Sequence, residues 1–304
     1  MSILLPVAGI SINLFLLIGV GGLVGFLSGM FGVGGGFLLT PILMMVGIPP
    51  TVAAASDSCQ IVAASSSGAA AHFRLGNVDV KLGGILLVGG LVGAAIGVRI
   101  IKVLRAMGNA DLVITLTYIV VLGGVGSYMF FESLQGLRRG TLTERPHHIR
   151  KSRGILARIP FQMDFPRSGV RHSIFIPFLI CVSIGILAAI MGVGGGFIMV
   201  PMMVYLLRMP MHVAVGTDLF QIVFTCAGVT FLQATTNHTV DLVLALLLAV
   251  GSTIGAQVGA RVGRLLRGDQ LKILLAIIVL VVMIKMTIDV VVEPASLLSY
   301  AKGH

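Results

Sequence analysis

The chain contains no tryptophan, four tyrosines and three cysteines in 304 residues, and only 11% of it is charged. A soluble domain carries about 25% charged residues. A chain this poor in charge cannot cover itself with polar surface in water, which excludes a soluble enzyme. Cys59, Cys181 and Cys226 all lie in apolar runs, and an odd number at such depth is no disulfide framework. The N-terminus has no basic stretch ahead of its apolar run, so no cleavable signal peptide is expected. No Lys-Ser/Thr follows the glycine runs, so they are not a nucleotide P-loop. There is no HExxH, no His/Asp-rich cluster and no serine elbow. An enzyme would have no constellation to work with, and neither a cofactor nor a metal is expected.

What is present is apolar. Hydrophobic residues make up 57% of the chain and its mean hydropathy is +1.06. Stretches such as 82–98 and 273–284 are almost free of charge, and a bilayer takes about 20 apolar residues per helix. Forty glycines point to close helix crossings in lipid. The short alternating segments of a membrane β-barrel do not occur. The expected class is an all-α polytopic membrane protein. Its net charge of +10 reads as the retention charge of cytoplasmic loops rather than as a nucleic-acid surface.

The chain repeats itself. GFLSGMFGVGGGFLLTPILM from Gly25 matches GILAAIMGVGGGFIMVPMMV from Gly185, an offset of 160. VAAASDSCQIV at 52–62 matches VAVGTDLFQIV at 213–223, and GLVGAAIGVR at 90–99 matches STIGAQVGAR at 252–261. Residues 1–131 and 173–304 are therefore read as two transmembrane repeats. Residues 132–172, with eight Arg, one Lys, three His and three acids, are read as a basic extramembrane loop. Its partly amphipathic middle gives it a choice between a plain topological anchor and contact with anionic lipid over 138–171.

Each half offers five helical stretches: 12–31, 36–48, 51–73, 79–104 and 110–131, then 173–191, 196–208, 211–232, 240–266 and 270–292. The second of each is short, so four or five passes per half are open. An odd number inverts the second repeat; an even number keeps it parallel. With five passes, sixteen cations fall on one side and four on the other, Lys285 being inside a span; with four, the split is thirteen to seven. The cleaner asymmetry favours inverted repeats, the central loop cytoplasmic.

An ionisable residue inside a span is a functional hypothesis by default. Asp57 and Asp218 occupy equivalent places, each after a hydroxyl (Ser56, Thr217) and three residues before a glutamine (Gln60, Gln221). Such a carboxylate can carry a proton, bind a cation, or cap a half-helix through backbone N–H groups. The runs containing Gly34, Gly35, Gly36 and Gly194, Gly195, Gly196 break helices, either to aim N-terminal ends at an anion near the midplane or to let two helices cross tightly. Arg99 and Arg261 read as interfacial snorkels. His72, His212 and Cys59 lack like partners in the other repeat and read as packing residues.

The duplicated G-x6-GVGGG-x4-P element followed by S/T-D-x-x-Q resembles the sulfite exporter TauE/SafE family of membrane permeases, over nearly the whole chain. The resemblance implies a secondary permease of the inner membrane for small sulfur-containing anions such as sulfite, sulfoacetate and related sulfonates, working by export. Proton coupling through Asp57 or Asp218 and an anion channel without alternating access both stay open.

Overall fold

The computed structural model describes residues 2–31, 36–138, 162–165, 167–263 and 268–292. A hairpin, β1 (Ser2–Leu4) with β2 (Ser11–Asn13), leads into α1 (Leu14–Phe31), α2 (Gly36–Met45), α3 (Pro50–Arg74), α4 (Val80–Ala106) and α5 (Ala110–Arg138). A second hairpin, β3 (Gln162–Phe165) with β4 (Val170–Ser173), leads into α6 (Phe175–Met191), α7 (Gly196–Tyr205), α8 (Met211–Leu232), α9 (Leu242–Gly263) and α10 (Gly268–Val291). A π-helical turn, Gln233–Asn237, extends α8.

Among the described residues, five helical segments are long and apolar enough to cross a membrane: Val80–Ala106, Ala110–Phe131, Met211–Asn237, Leu242–Gly259 and Ile273–Val291. The chain is a multi-pass membrane protein. The ten-residue α2 and α7 rise only about 15 Å each, half of a bilayer core. Their lengths follow from local chemistry. Gly195, in the left-handed region at φ 83°, starts α7, and the prolines at 49–50 and 210 open the next helix, where a missing N–H costs nothing.

Two helix crossings dominate the packing, and both rest on glycine. On α1 and α9, Gly21 faces Leu248, Gly25 faces Ser252 and Gly29 faces Ala256. On α4 and α6, Gly89 faces Phe178, Gly93 faces Val182 and Gly97 faces Ile186. In both pairs the numbers rise together, so each pair is parallel. A Cβ on Gly255 would stand 2.0 Å from the carbonyl oxygen of Gly22, and one on Gly93 would stand 2.2 Å from that of Val182. The backbones touch, and any side chain would force them apart.

The pairings of equivalent helices run the other way. Gly216 packs on His72 and Asn77, Gly68 meets Leu219, and Ile61 clusters with Ile222 and Cys226. Numbers fall along α3 as they rise along α8, so the two are antiparallel. Gly123 meets Met283 and Gly126 meets Val279, so α5 and α10 are antiparallel too. Exchanging α1–α5 with α6–α10 also maps the α1/α9 crossing onto the α6/α4 crossing.

Two features lie outside the sequence expectation. Residues 2–13 and 162–173 form hairpins, and α5 runs on through Arg138, so helix and hairpin occupy both ends of the segment expected to be loop. The middle of that segment, with its expected lipid contact, lies outside the described residues.

Candidate functional site

The short helices begin at the centre of the bundle and face each other. Phe37 and Phe197, the second residues of α2 and α7, stack with ring centroids 5.3 Å apart and an interplanar angle of 27°. Both are buried. Gly36 lies against the Val193 carbonyl and the Ile61 side chain; Gly194 lies against Ile61, Ile222 and Cys226. Gly36 of the first run and Gly194 of the second thus meet at the level of the Ile61–Ile222 contact. Gly194 and Gly195 hold left-handed φ angles of 71° and 83°, which glycine adopts without strain. The first N–H groups of an α-helix have no partner within it, so two positive helix ends are brought together here. Gly34 and Gly35 lie outside the described residues.

Asp57 and Asp218 are both fully within the protein, at 0% and 3% exposure. They do not share one position. Ile61 and Ile222 touch, and each aspartate lies four residues before its isoleucine on antiparallel helices. The two carboxylates therefore lie on either side of that contact along the bundle axis. Cys226 is within electrostatic reach of both.

Their surroundings differ. The Thr40 hydroxyl donates to Asp57 Oδ2 at 2.7 Å, whereas the position equivalent to Thr40 in α7 is Val200. Tyr118, fully buried on α5, lies beside Thr40 and Asp57 and donates its hydroxyl to the Met191 carbonyl at the end of α6. The corresponding stretch of α10, Ile278 to Leu280, is aliphatic. Gln60 Nε2 donates to Ser252 Oγ at 2.5 Å, while Gln221 Nε2 donates to Thr225 Oγ1 at 2.6 Å. Among the described residues around this centre, the buried acceptors Asp57 Oδ1, Gln60 Oε1 and Asp218 Oδ1 have no hydrogen-bond partner. Each aspartate sits inside its own helix, α3 or α8, and among the described residues neither accepts from the N–H of a helix start.

The caps belong to other aspartates. Asp79 starts α4 by accepting from Leu82 N–H at 3.2 Å, and Asp241 starts α9 by accepting from Leu244 N–H at 3.1 Å. The backbone N–H of Asp79 donates to Thr217 Oγ1 at 3.1 Å, and that of Asp241 to Ser56 Oγ at 3.0 Å. The hydroxyls beside the central carboxylates therefore each receive the start of a helix of the other half. Sequence reasoning missed Thr40, Tyr118, Asp79 and Asp241. A signal for the last two existed, since Val78-Asp79 and Val240-Asp241 recur at the offset of the 90–99 match.

The remaining singled-out residues lie outside this centre. Arg99 borders an apolar groove with Ile96, Ile100, Val103 and Leu104, Arg261 is exposed, and Cys59 is half-buried. His72 packs on Gly216, within electrostatic reach of His212.

Comparison with known proteins identifies the family. The profile of the family described as sulfite exporter TauE/SafE matches residues 17–286. The chain belongs to this family. A probable membrane transporter protein of Xylella fastidiosa (strain 9a5c) is 28% identical over 236 residues, 77% of this chain and 78% of that one. The probable membrane transporter protein YjnA of Bacillus subtilis (strain 168) is 26% identical over 227 residues, 73% of this chain and 79% of that one. Sulfite exporter TauE/SafE family protein 2 of Arabidopsis thaliana is 34% identical over 93 residues, 30% of this chain and 20% of that one. The chain thus matches only about a fifth of that plant relative's length. No solved structure matches.

Proposed function

We propose that this TauE/SafE family protein is a secondary transporter that exports small sulfur-containing anions, sulfite, sulfoacetate or related organosulfonates, across the inner membrane. The observation that carries the reading is the meeting of α2 and α7 at the bundle centre. Half-helix N-termini facing each other offer partial positive charge and N–H donors to an anion without a buried cation. The substrate position lies between Gly34, Gly35, Gly36 and Gly194, Gly195, Gly196, flanked by Ser56, Asp57 and Gln60 on one side and Thr217, Asp218 and Gln221 on the other. The halves act as inverted repeats that rock about this centre. The end carrying Arg74, Lys81, Arg208 and Arg261 is cytoplasmic. A membrane potential negative inside favours exit of an anion by about 2.3 kcal/mol per charge per 100 mV.

Coupling to a proton is part of the proposal. A fixed negative charge on each side would repel the substrate, and a buried ionised carboxylate with an unpartnered oxygen is costly. The unpartnered oxygens of Asp57 and Asp218 are acceptors that a proton satisfies while the anion passes. The test is uptake into proteoliposomes with a panel of sulfite, sulfoacetate and other sulfonates against chloride and acetate, at several pH gradients. Saturable uptake with counterflow for a sulfur anion supports the reading. Unsaturable flux without counterflow replaces it with a channel, and no flux of any sulfur anion overturns the substrate class.

A further inference from the structure

The two hairpins close over opposite ends of the bundle in the same way. The sequence Pro-x-x-Gly recurs at 6–9 and 166–169, at the offset of 160 that relates the glycine runs. Gly9 and Gly169 both hold left-handed φ angles, 68° and 64°, and both donate to the residue that opens the turn, Leu5 or Phe165, at 2.9 Å. Leu5 and Phe165 point inward and are 0% and 1% exposed. Phe165 packs among Leu82, Leu86, Ile184, Met199 and Met203.

Each turn is held by one oxygen of a capping aspartate. Asp241 Oδ1 caps α9, while its Oδ2 accepts from Val7 N–H at 3.0 Å and Ala8 N–H at 3.4 Å. Asp79 Oδ1 caps α4, while its Oδ2 accepts from Ser168 N–H at 3.1 Å and the Ser168 hydroxyl at 2.7 Å. Asp79 and Asp241 stand at opposite ends of the bundle, because each follows the C-terminal end of α3 or α8, and those helices are antiparallel. The backbone of each aspartate is bonded to the hydroxyl residue beside a central carboxylate: Asp79 to Thr217, next to Asp218, and Asp241 to Ser56, next to Asp57.

We propose that Asp79 and Asp241 are positioning residues of two gates, each latching one hairpin over one mouth of the transport path and tying that latch to the residue beside a central carboxylate. The proposal rests on the transport reading above. A continuous run of bonds links each mouth to the centre: hairpin turn, capping carboxylate, capping backbone N–H, Ser56 or Thr217. The link crosses between halves. The hairpin and Thr217 of the second half hold the start of α4 of the first, and the hairpin and Ser56 of the first half hold the start of α9 of the second. Movement of one half against the other strains one latch at a time, so one mouth opens while the other stays closed.

The split of the two oxygens supplies a selective variant. Asparagine keeps one oxygen and remains a good helix cap, but its amide nitrogen cannot accept from the hairpin. Asp241→Asn therefore loses both bonds from its hairpin, and Asp79→Asn loses the bond from Ser168 N–H and keeps at most an amide-to-hydroxyl contact with Ser168, while both spare the helix. Leu5→Cys and Phe165→Cys report the state of each gate through reaction with a membrane-impermeant maleimide, read by mass spectrometry at the introduced cysteine. We expect Phe165→Cys to react from one face of the membrane only and Leu5→Cys from the other, with transported sulfite shifting the two rates in opposite directions. Asp79→Asn raises the rate at position 165 by about ten-fold or more, the loss of a charge-assisted bond, without raising it at position 5. Asp241→Asn does the reverse. Ser168→Ala, outside α4, gives a smaller change in the direction of Asp79→Asn and serves if that variant does not fold. Equal reactivity with intact and released latches overturns the proposal, leaving the hairpins as static covers. So does a rise at both positions from either substitution, the mark of general loosening. Reciprocal labelling that no sulfur anion shifts supports the latches and counts against the substrate class alone.

Discussion

The two halves of this protein share a frame and differ in what surrounds their buried carboxylates. The glycine crossings, the half-helices, the capping aspartates and the hairpin turns occur twice, at matching positions. Around Asp57 stand the hydroxyls of Thr40 and Tyr118; the equivalent ground around Asp218 holds Val200 and the aliphatic run 278–280. What occurs twice is the packing frame. What occurs once breaks the equivalence of the two halves: Thr40 and Tyr118 stand on the Asp57 side alone, and Thr225, which has Ala64 in the equivalent place, on the Asp218 side alone.

The joint gives the largest expected effect. Gly255→Leu drives a side chain into the Gly22 carbonyl, 2.0 Å from where its Cβ would be. Separating the α1 and α9 backbones costs several kcal/mol, since overpacking by even a methylene or two costs about 1–3 kcal/mol. We expect no monodisperse protein in detergent. Gly22→Ala, whose Cβ would stand an ordinary 3.7 Å from Gly251 O, is the contrast. It is expected to fold and to gain up to about 1 kcal/mol of helix propensity, read as a raised Tm. Equal tolerance of the two substitutions would show that the crossing is looser than the frame requires.

The frame was legible in the sequence because membrane helices must be apolar and about twenty residues long, and because a duplicated unit checks each assignment twice. The glycine runs, Asp57, Asp218 and their glutamines were found by repetition alone. The hairpins were not, since three- and four-residue strands carry no usable period; only Pro6-x-x-Gly9 and Pro166-x-x-Gly169 betray them. Thr40 and Tyr118 were beyond repetition in principle, because they occur in one half only. Their meaning comes from three helices brought together, which spacing along the chain does not encode. The separation of the two carboxylates along the axis was hidden as well, for it depends on the antiparallel packing of α3 on α8.

Transport separates the carboxylates next. Asp57→Asn and Asp218→Asn keep the shape of a protonated acid. Under proton coupling, binding of the sulfur anion survives in both, and at least one loses the pH dependence of its transport, a change of about ten-fold or more in the ratio of rates between two pH values. Proteoliposome flux at matched potential measures it. Unchanged pH dependence in both single variants and the double variant removes the proton and returns the two aspartates to equal, structural standing.

Tyr118→Phe asks how much the one-sided hydroxyls hold. The substitution leaves the Met191 carbonyl at the end of α6 without its donor in a fully buried place. An unsatisfied buried acceptor costs about 1–3 kcal/mol, and a lowered Tm in detergent reads it. The aliphatic exchange Ile278→Val at the corresponding part of the other half removes one methylene and costs about 0.5–1.5 kcal/mol. If the two costs prove equal, the Tyr118 bond contributes nothing beyond packing.

The smallest effect is the most informative about charge. Thr40→Val makes the neighbourhood of Asp57 resemble that of Asp218, which has Val200 in the equivalent place. The side chains have nearly the same shape, so the difference is the 2.7 Å hydrogen bond from the hydroxyl to Oδ2. A bond to an ionised acceptor is worth about 1.5–3 kcal/mol, and one between neutral groups about 0.5–1.5 kcal/mol. The size of the loss therefore reports the form of Asp57 in the resting protein. If it rests protonated, as the proton reading requires of a carboxyl with one oxygen unpartnered, the loss falls in the lower range and changes little across neutral pH. A loss above about 2 kcal/mol would mean that Asp57 is charged and held by Thr40. Asp218, with no hydroxyl at the equivalent position, would then be left as the carboxylate that takes up the proton. Val200→Thr is the reciprocal exchange: it offers Asp218 the same donor, and any pH-dependent step that Asp218 carries should slow while the one at Asp57 is untouched.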